Sequence, residues 1–382
     1  MKKPRARDLG IPFEGTTGKH NNITDVDNVK VGYSTIIEGE AARTGVTIIH
    51  PRGKNSEPVF AGIHSFNGNG EMTGSAWVEE GGLLEGPIGI TNTHSVGMVR
   101  DSIIKWQIKN NAMYQPWALP VVAETSDGGL NNINNFFVEE KHVLSALDNA
   151  SSGFIEEGNV GGGTGMVCYE FKGGTGTASR KFSENSNEWT VGVLAQCNFG
   201  RREQLTIAGA PIGKHLTEDI PNLDSENPYE QDSGSLIVIV ATDAPLLPHQ
   251  LKRVAKRVSL GMARTGSLGG NGSGDIFLAF STANPKAGYP DENGFVDLKS
   301  LSNDHLNSIF YATAHATEEA IINALVAAED MTGHKGIQVK AMPHDKVREV
   351  LRKYGRVEDG KWKVGSRKWK VGSRKWKVES GK

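Results

Sequence analysis

The sequence predicts an α+β protein in which helices cover layers of sheet. Three observations predict it. Strand-like runs recur at 29–37, 47–50, 59–65, 165–171, 189–197, 236–240 and 276–281. Segments 101–110, 139–150, 248–260 and 304–329 read as helices. The two kinds of element interleave without the regular βαβ spacing of a doubly wound sheet or a barrel.

The clearest strand is Leu236-Ile237-Val238-Ile239-Val240, apolar throughout and therefore buried on both faces. Thr242-Asp243-Ala244-Pro245 ends it and leads into the helix at 248–260. Residues 199–229 lack strong periodicity, and 218–234 are so polar that they read as an exposed loop. In the helix at 304–329, Leu306, Ile309, Phe310, Ala320, Ile321 and Ala324 recur at helical spacing. Thr313 and Thr317 fill the middle of that stripe, and Ser302, Asn303 or Asp304 can cap its start.

A chain of 382 residues with 37% hydrophobic and 23% charged residues can bury a sizeable core without disulfides or metals. The 47 glycines cluster between apolar segments, which points to tight turns and close backbone approaches. Cys168 and Cys197 lie in strand-like runs and read as buried, reduced thiols, which suits a cytoplasmic protein; a disulfide between them stays open. The basic stretch Met1–Arg7 precedes no apolar run and does not read as a secretory signal. No run of ~18 apolar residues predicts a membrane span.

The net charge of −2 conceals an asymmetry. Residues 361–382 hold nine Lys/Arg and one Glu, a charge of +8, which leaves the body at −10. This tail repeats Lys361-Trp362-Lys363-Val364-Gly365-Ser366-Arg367 from Lys368, with a partial copy from Lys375. It has no apolar a/d pair for a coiled coil. It reads as repeat expansion at a disordered, tolerant end rather than as a specific nucleic-acid or anionic-surface site.

Four motifs carry possible chemistry. Asn159-Val160-Gly161-Gly162-Gly163-Thr164-Gly165 lacks the Gly-Lys-Ser/Thr ending of a phosphate loop and leads into a strand, so it reads as a structural turn. The eleven histidines include no His-Glu-x-x-His, and His315 with Glu319 gives too few ligands, so no metal or other cofactor is expected. Ser273 and Asp275 precede the strand at 276–281, two residues apart, so they face one point and can pass a proton; the same residues also make a good turn. Asn198 ends the strand at 189–197, where its amide can donate to an oxyanion or simply cap a turn.

Asp232-Ser233-Gly234-Ser235 runs directly into the buried strand. Cleavage after Gly234 would leave a hydroxyl and a free amine together at the tip of a rigid element. Glycine there admits a strained backbone at the break. By itself Gly-Ser is an ordinary turn; its neighbours decide.

Taken together, Gly10–Gly15, Asn22–Val26, Asn67–Gly74, Gly86–Ile88, Thr91–Gly97, Val160–Phe171, the Asn198 strand, the Ser235 strand and Gly272–Asn284 resemble, in order, the DmpA/BapA family of self-processing aminopeptidases. The resemblance spans about residues 8–350 and leaves the tail outside. It implies an αββα four-layer sandwich, similar to Ntn hydrolases with different connectivity, and tetramers of processed heterodimers. It divides the chain into 1–234 and 235–360.

Residue by residue, the resemblance implies that Ser235 is the nucleophile freed by cleavage after Gly234. Ser273 and Asp275 match the pair that assists proton transfer, where some relatives carry Glu at the second place. Asn198 matches the oxyanion amide. Glu124 matches the carboxylate that holds the free amine of a small peptide, amide or ester substrate. The family often has Tyr two residues after that Glu; here Ser126 stands there with a shorter reach. Two rival readings remain: an ornithine-type acetyltransferase, whose nucleophile is threonine, and a non-enzymatic binding protein that uses the basic tail.

Overall fold

The apolar run at 236–240 becomes an interior strand of a six-stranded sheet, as burial on both faces requires. The computed structural model describes residues 3–55, 57–184, 186–223 and 234–357. The tail at 361–382 and most of the polar stretch before Gly234 lie outside the described residues.

The six-stranded sheet runs in the order β4 (Leu83–Leu84), β3 (Val59–Ser65), β12 (Gly274–Ser281), β11 (Ser235–Thr242), β10 (Asn187–Asn198) and β9 (Gly174–Glu184). β11 pairs parallel to β12 because the chain returns through α4 (Pro248–Ala255) and α5 (Val258–Arg264). A second, four-stranded sheet runs β1 (Lys30–Glu38), β2 (Ala42–Lys54), β5 (Ile88–Thr91) and β6 (Val121–Glu124). Short hairpins are made by β7 (Val167–Cys168) with β8 (Phe171–Lys172), and by β13 (Met331–Thr332) with β14 (Gln338–Val339). Of the other helices, α1 (Ser75–Gly81) lies by β3, and α7 (His344–Lys353) follows β14.

Alternation along β11 sorts its side chains into two cores. Ile237 and Ile239 join Ile49, Ile88, Ile90 and Val121 between the sheets. Leu236, Val238 and Val240 join Leu251, Val254 and Ile321 of α4 and α6 (Asn307–Val326) on the outer face. Beyond the four-stranded sheet, Val46 and Ile48 pack against Val99, Ile103 and Val143 of α2 (Val96–Lys109) and α3 (Glu140–Asp148). The result is the expected αββα order of layers. Each fully buried Ile, Leu or Val contributes ~1.5–3 kcal/mol relative to exposure.

Several elements differ from the sequence reading. Residues 165–171 are not one strand: Tyr169 and Glu170 take φ of 51° and 59°, which folds β7 back onto β8. The helix expected at 248–260 breaks into α4 and α5. Gly261 then lets α5 close on α6, for a Cβ there would stand 2.6 Å from Ala314 O. α6 is buried on nearly every side, and Thr313 and Thr317 satisfy their hydroxyls on Ile309 O (2.7 Å) and Thr313 O (2.8 Å). Among the described residues no helix is long and apolar enough to cross a membrane.

His50 on β2 is buried, its ring 5.4 Å from that of Trp106, and its Nε2–H donates to Leu147 O at 3.1 Å. Burial pushes its pKa down to about 4. Between the ordinary value and about 4 the unfolded chain binds a proton that the fold rejects. Stability therefore falls as pH drops through that window, by about 3 kcal/mol in all. His50→Gln keeps a donor for Leu147 and removes this titration. Melts at pH 7 and pH 4.5 should differ less in the variant than in the parent; equal differences would place the acid sensitivity elsewhere.

Candidate active site

Three strand ends meet at one end of the six-stranded sheet. Asn198, the last residue of β10, pairs with Ser235, the first of β11. Ser235 in turn pairs with Gly274, the first of β12. The ladder between β11 and β12 continues one residue further, since Gly274 N–H donates to Gly234 O at 2.9 Å. Ser235 is buried, at 6% exposure. It shares the parity of Ile237 and so faces the space between the sheets.

Gly234 corrects one expectation. It is outside the left-handed region, so glycine is not needed there for an unusual φ. Space requires it: a Cβ would stand 2.7 Å from both Asn198 O and Phe199 Cα.

Ser273 and Asp275 flank Gly274, and the Ser273 hydroxyl donates to Asp275 Oδ1 at 2.8 Å. Both are buried. Asn67 Nδ2 donates to Asp275 Oδ2 at 3.0 Å, and Asn69 holds the turn through Gly272 O (2.8 Å) and Ser273 O (3.2 Å). Asp275 has the parity of Phe277 and hence faces the helix side, opposite Ser235. Ser273 precedes the strand, so that alternation does not fix the direction of its side chain.

The Asn198 amide is fixed at both ends. Val167 N–H donates to its Oδ1 at 2.9 Å, and its Nδ2 donates to Ser126 O at 2.8 Å. A carboxamide has two N–H groups, so one donor remains for a ligand. Ser126 is exposed, and its Oγ lies 3.5 Å from Gly128 N, a long contact that holds it weakly.

Glu124 arrives from the other sheet as the last residue of β6. It is 3% exposed. Its Oε1 accepts from Glu71 N–H at 3.0 Å, and its Oε2 accepts from the Thr93 hydroxyl. Burial raises its pKa, against the lowering effect of the Thr93 and Glu71 hydrogen bonds. Gly70 lies between this carboxylate and β12: a Cβ there would stand 3.1 Å from Gly274 Cα and 3.2 Å from Glu124 Oε1. The sandwich thus brings Ser235, Ser273, Asp275, Asn198, Ser126 and Glu124 to one end of the two sheets.

Sequence reasoning missed the supports. Asn67 and Thr93 sit inside the stretches that carry the family resemblance, but their partners come from distant segments. The glycine run at 159–165 is a structural turn wedged between the sheets, where a Cβ on Gly162 would stand 2.2 Å from Gln196 Oε1. His315 and Glu319 form no metal pair: Glu319 holds Arg7, Arg180 and Asn21, while His315 faces Glu14. Cys168 and Cys197 are free, buried thiols. A cavity of about 740 Å³ opens between Arg202, Leu216 and Met342 and includes none of the residues above.

The model of peptidase family S58 matches residues 21–339. Beta-peptidyl aminopeptidase BapA of Sphingosinicella microcystinivorans is 50% identical over 375 residues, covering 94% of each chain. That of Sphingosinicella xenopeptidilytica is 45% identical over 371 residues, 91% of each chain. Among solved structures, the L-aminopeptidase D-Ala-esterase/amidase from Ochrobactrum anthropi, a prototype for the serine aminopeptidases with a variant of the Ntn hydrolase fold, superposes with a TM-score of 0.86. It is 49% identical and covers 93% of this chain and 100% of its own.

Proposed function

The chain belongs to peptidase family S58 and is a serine aminopeptidase, and from that premise we propose how its residues divide the work. The observation that carries the proposal is the register Asn198–Ser235–Gly274, which sets an amide donor, a hydroxyl and a backbone N–H side by side.

Self-processing comes first. The Ser235 hydroxyl attacks the Gly234 carbonyl carbon, the peptide C–N bond breaks, and the acyl group moves to Oγ as an ester that water then hydrolyses. Gly274 N–H already points at the Gly234 oxygen, where negative charge develops. The products are an α chain of residues 1–234 and a β chain beginning at Ser235 whose catalytic part ends near 360.

The mature reaction repeats this chemistry on a substrate. Ser235 Oγ attacks the scissile carbonyl and Asn198 Nδ2–H stabilises the oxyanion. The hydroxyl proton passes to the new α-amine, with an unperturbed pKa of ~7.7–8.0, or to Ser273 backed by Asp275. Glu124 binds the free amine of the substrate and so restricts cleavage to the first residue. Ser126 takes the place of a longer Tyr donor, and the remaining Asn198 hydrogen carries most of the oxyanion load. The substrates are short peptides, amides or esters with an L-, D- or β-amino first residue, and the working form is a tetramer of αβ heterodimers.

N-terminal sequencing of the purified protein tests the processing step. Two chains of roughly 25 and 16 kDa are expected, in proportion to length, with the smaller starting at Ser235. Kinetics on L-Ala, D-Ala and β-homo-amino-acid p-nitroanilides then rank the substrate classes. A single intact chain with full peptidase activity would remove Ser235 from both roles, and acyl transfer from acetylated ornithine in place of hydrolysis would favour the acetyltransferase reading.

A further inference from the structure

Lys172 on β8 has no place in the chemistry above, yet its position is costly. It is completely buried. Its Nζ donates to Met166 O and Gly173 O at 2.9 Å each and approaches Gly163 O at 3.5 Å. Among the described residues no carboxylate bonds it. A buried ammonium without a counter-charge is expensive, and a neutral amide could serve two of these carbonyls without that cost.

The Met166 carbonyl leads to the site. It belongs to the peptide whose other end, Val167 N–H, donates to Asn198 Oδ1 at 2.9 Å. The chain of contacts is therefore Lys172 Nζ–H to Met166 O, then Val167 N–H to Asn198 Oδ1, then Asn198 Nδ2–H outward. Hydrogen bonds in series polarise one another. A positive charge at the head of this series draws electron density along the peptide and the carboxamide and makes Nδ2–H a stronger donor.

We propose that Lys172 is a positioning residue for the oxyanion amide, acting on Asn198 through the Met166–Val167 peptide. The inference rests on Asn198 being the oxyanion donor. It deepens that reading by placing a charge behind the amide. Burial pushes the Lys172 pKa down to about 7, with Lys3 lowering it further and Cys168 opposing; Cys197 stands beside Cys168. The charge is present below about pH 7 and is lost above it.

The test compares the processed parent enzyme with Lys172→Gln, Lys172→Met, Asn198→Ala and the Lys172→Gln/Asn198→Ala double variant on one p-nitroanilide across pH. Glutamine keeps N–H donors and removes the charge; methionine removes both. If the methionine variant fails to fold, the glutamine variant decides. Loss of an oxyanion donor costs ~10²–10³ in kcat, and weakening one through a peptide should cost roughly tenfold, with KM within about twofold. The ratio of parent kcat to glutamine-variant kcat should be largest near pH 6 and approach one as pH rises past the lysine's titration. In the Asn198→Ala background the lysine change should add nothing further.

A ratio independent of pH, or full additivity with Asn198→Ala, would overturn the proposal and leave Lys172 a plug for three carbonyls. An Asn198→Ala enzyme with parental kcat would overturn it by a different route, by removing the oxyanion role on which it rests.

Discussion

Ser235→Ala is expected to yield one uncut chain of 41.2 kDa with no detectable hydrolysis. The same hydroxyl serves both steps, so neither can proceed without it. Loss of a serine nucleophile in a comparable hydrolytic unit lowers kcat on the order of 10⁶-fold. The fold should survive. The β11 ladder uses backbone groups only, including Gly274 N–H to Gly234 O, and removal of one Oγ from a site that is 6% exposed leaves a small void. Melting temperature and far-UV circular dichroism should therefore stay close to those of the processed parent. Ser235→Cys provides the companion measurement: a thiol can still attack, so slow conversion to two chains is expected. Two chains in the alanine variant, or residual turnover of a p-nitroanilide, would show that another group attacks.

How much of this was legible in the sequence depends on whether an element is fixed by its own residues or by its neighbours. β11 and β12 carry their apolar residues in continuous runs and β10 is apolar at most positions from Trp189 to Cys197, so the strands that bear Asn198, Ser235 and the Ser273–Asp275 pair were readable. The 2.8 Å bond between Ser273 and Asp275 agrees with the two-residue spacing, although Ser273 itself lies just before the strand. β9 was not readable. Its Thr177, Ser179 and Arg180 look like surface residues, yet all are buried, because the Thr177 and Ser179 hydroxyls donate to Val193 O and Asp25 Oδ2 and the Arg180 guanidinium donates to Glu319 Oε2. β5 and β6 have four residues each, too short for a period, and it is their pairing that carries Glu124 to the site. The 165–171 segment shows the opposite error. Its residues favour a strand, but the chain must turn at Tyr169 to bring Lys172 beneath Met166. The αββα order itself came from resemblance, because no local pattern states which sheet face meets which.

Glu124→Gln is expected to lower kcat/KM on substrates with a free amine about 10²-fold, by deleting one charge of a desolvated ion pair. The variant is conservative in shape. Its Oε1 can still accept from Glu71 N–H, and its Nε2 can donate to the Thr93 hydroxyl, reversing that bond. Stability should not fall. Burial raises the pKa of Glu124, so the folded chain binds its proton more tightly than the unfolded chain does. Ionising it as pH rises through that window costs stability, and glutamine escapes this cost at neutral pH. Activity and melting temperature should thus separate: a large loss in the first, no loss in the second. The same shift moves the acid limb of the parent's kcat/KM for free-amine substrates upward from the ordinary glutamate value, and that limb should vanish in the variant. An N-acetylated ester has no amine to bind, so its hydrolysis should change by less than about threefold, the scale of a rim contact rather than a buried pair. Equal losses on the amine and acetylated substrates, at unchanged melting temperature, would mean that Glu124 acts on the reaction itself and that the amine is held by another group.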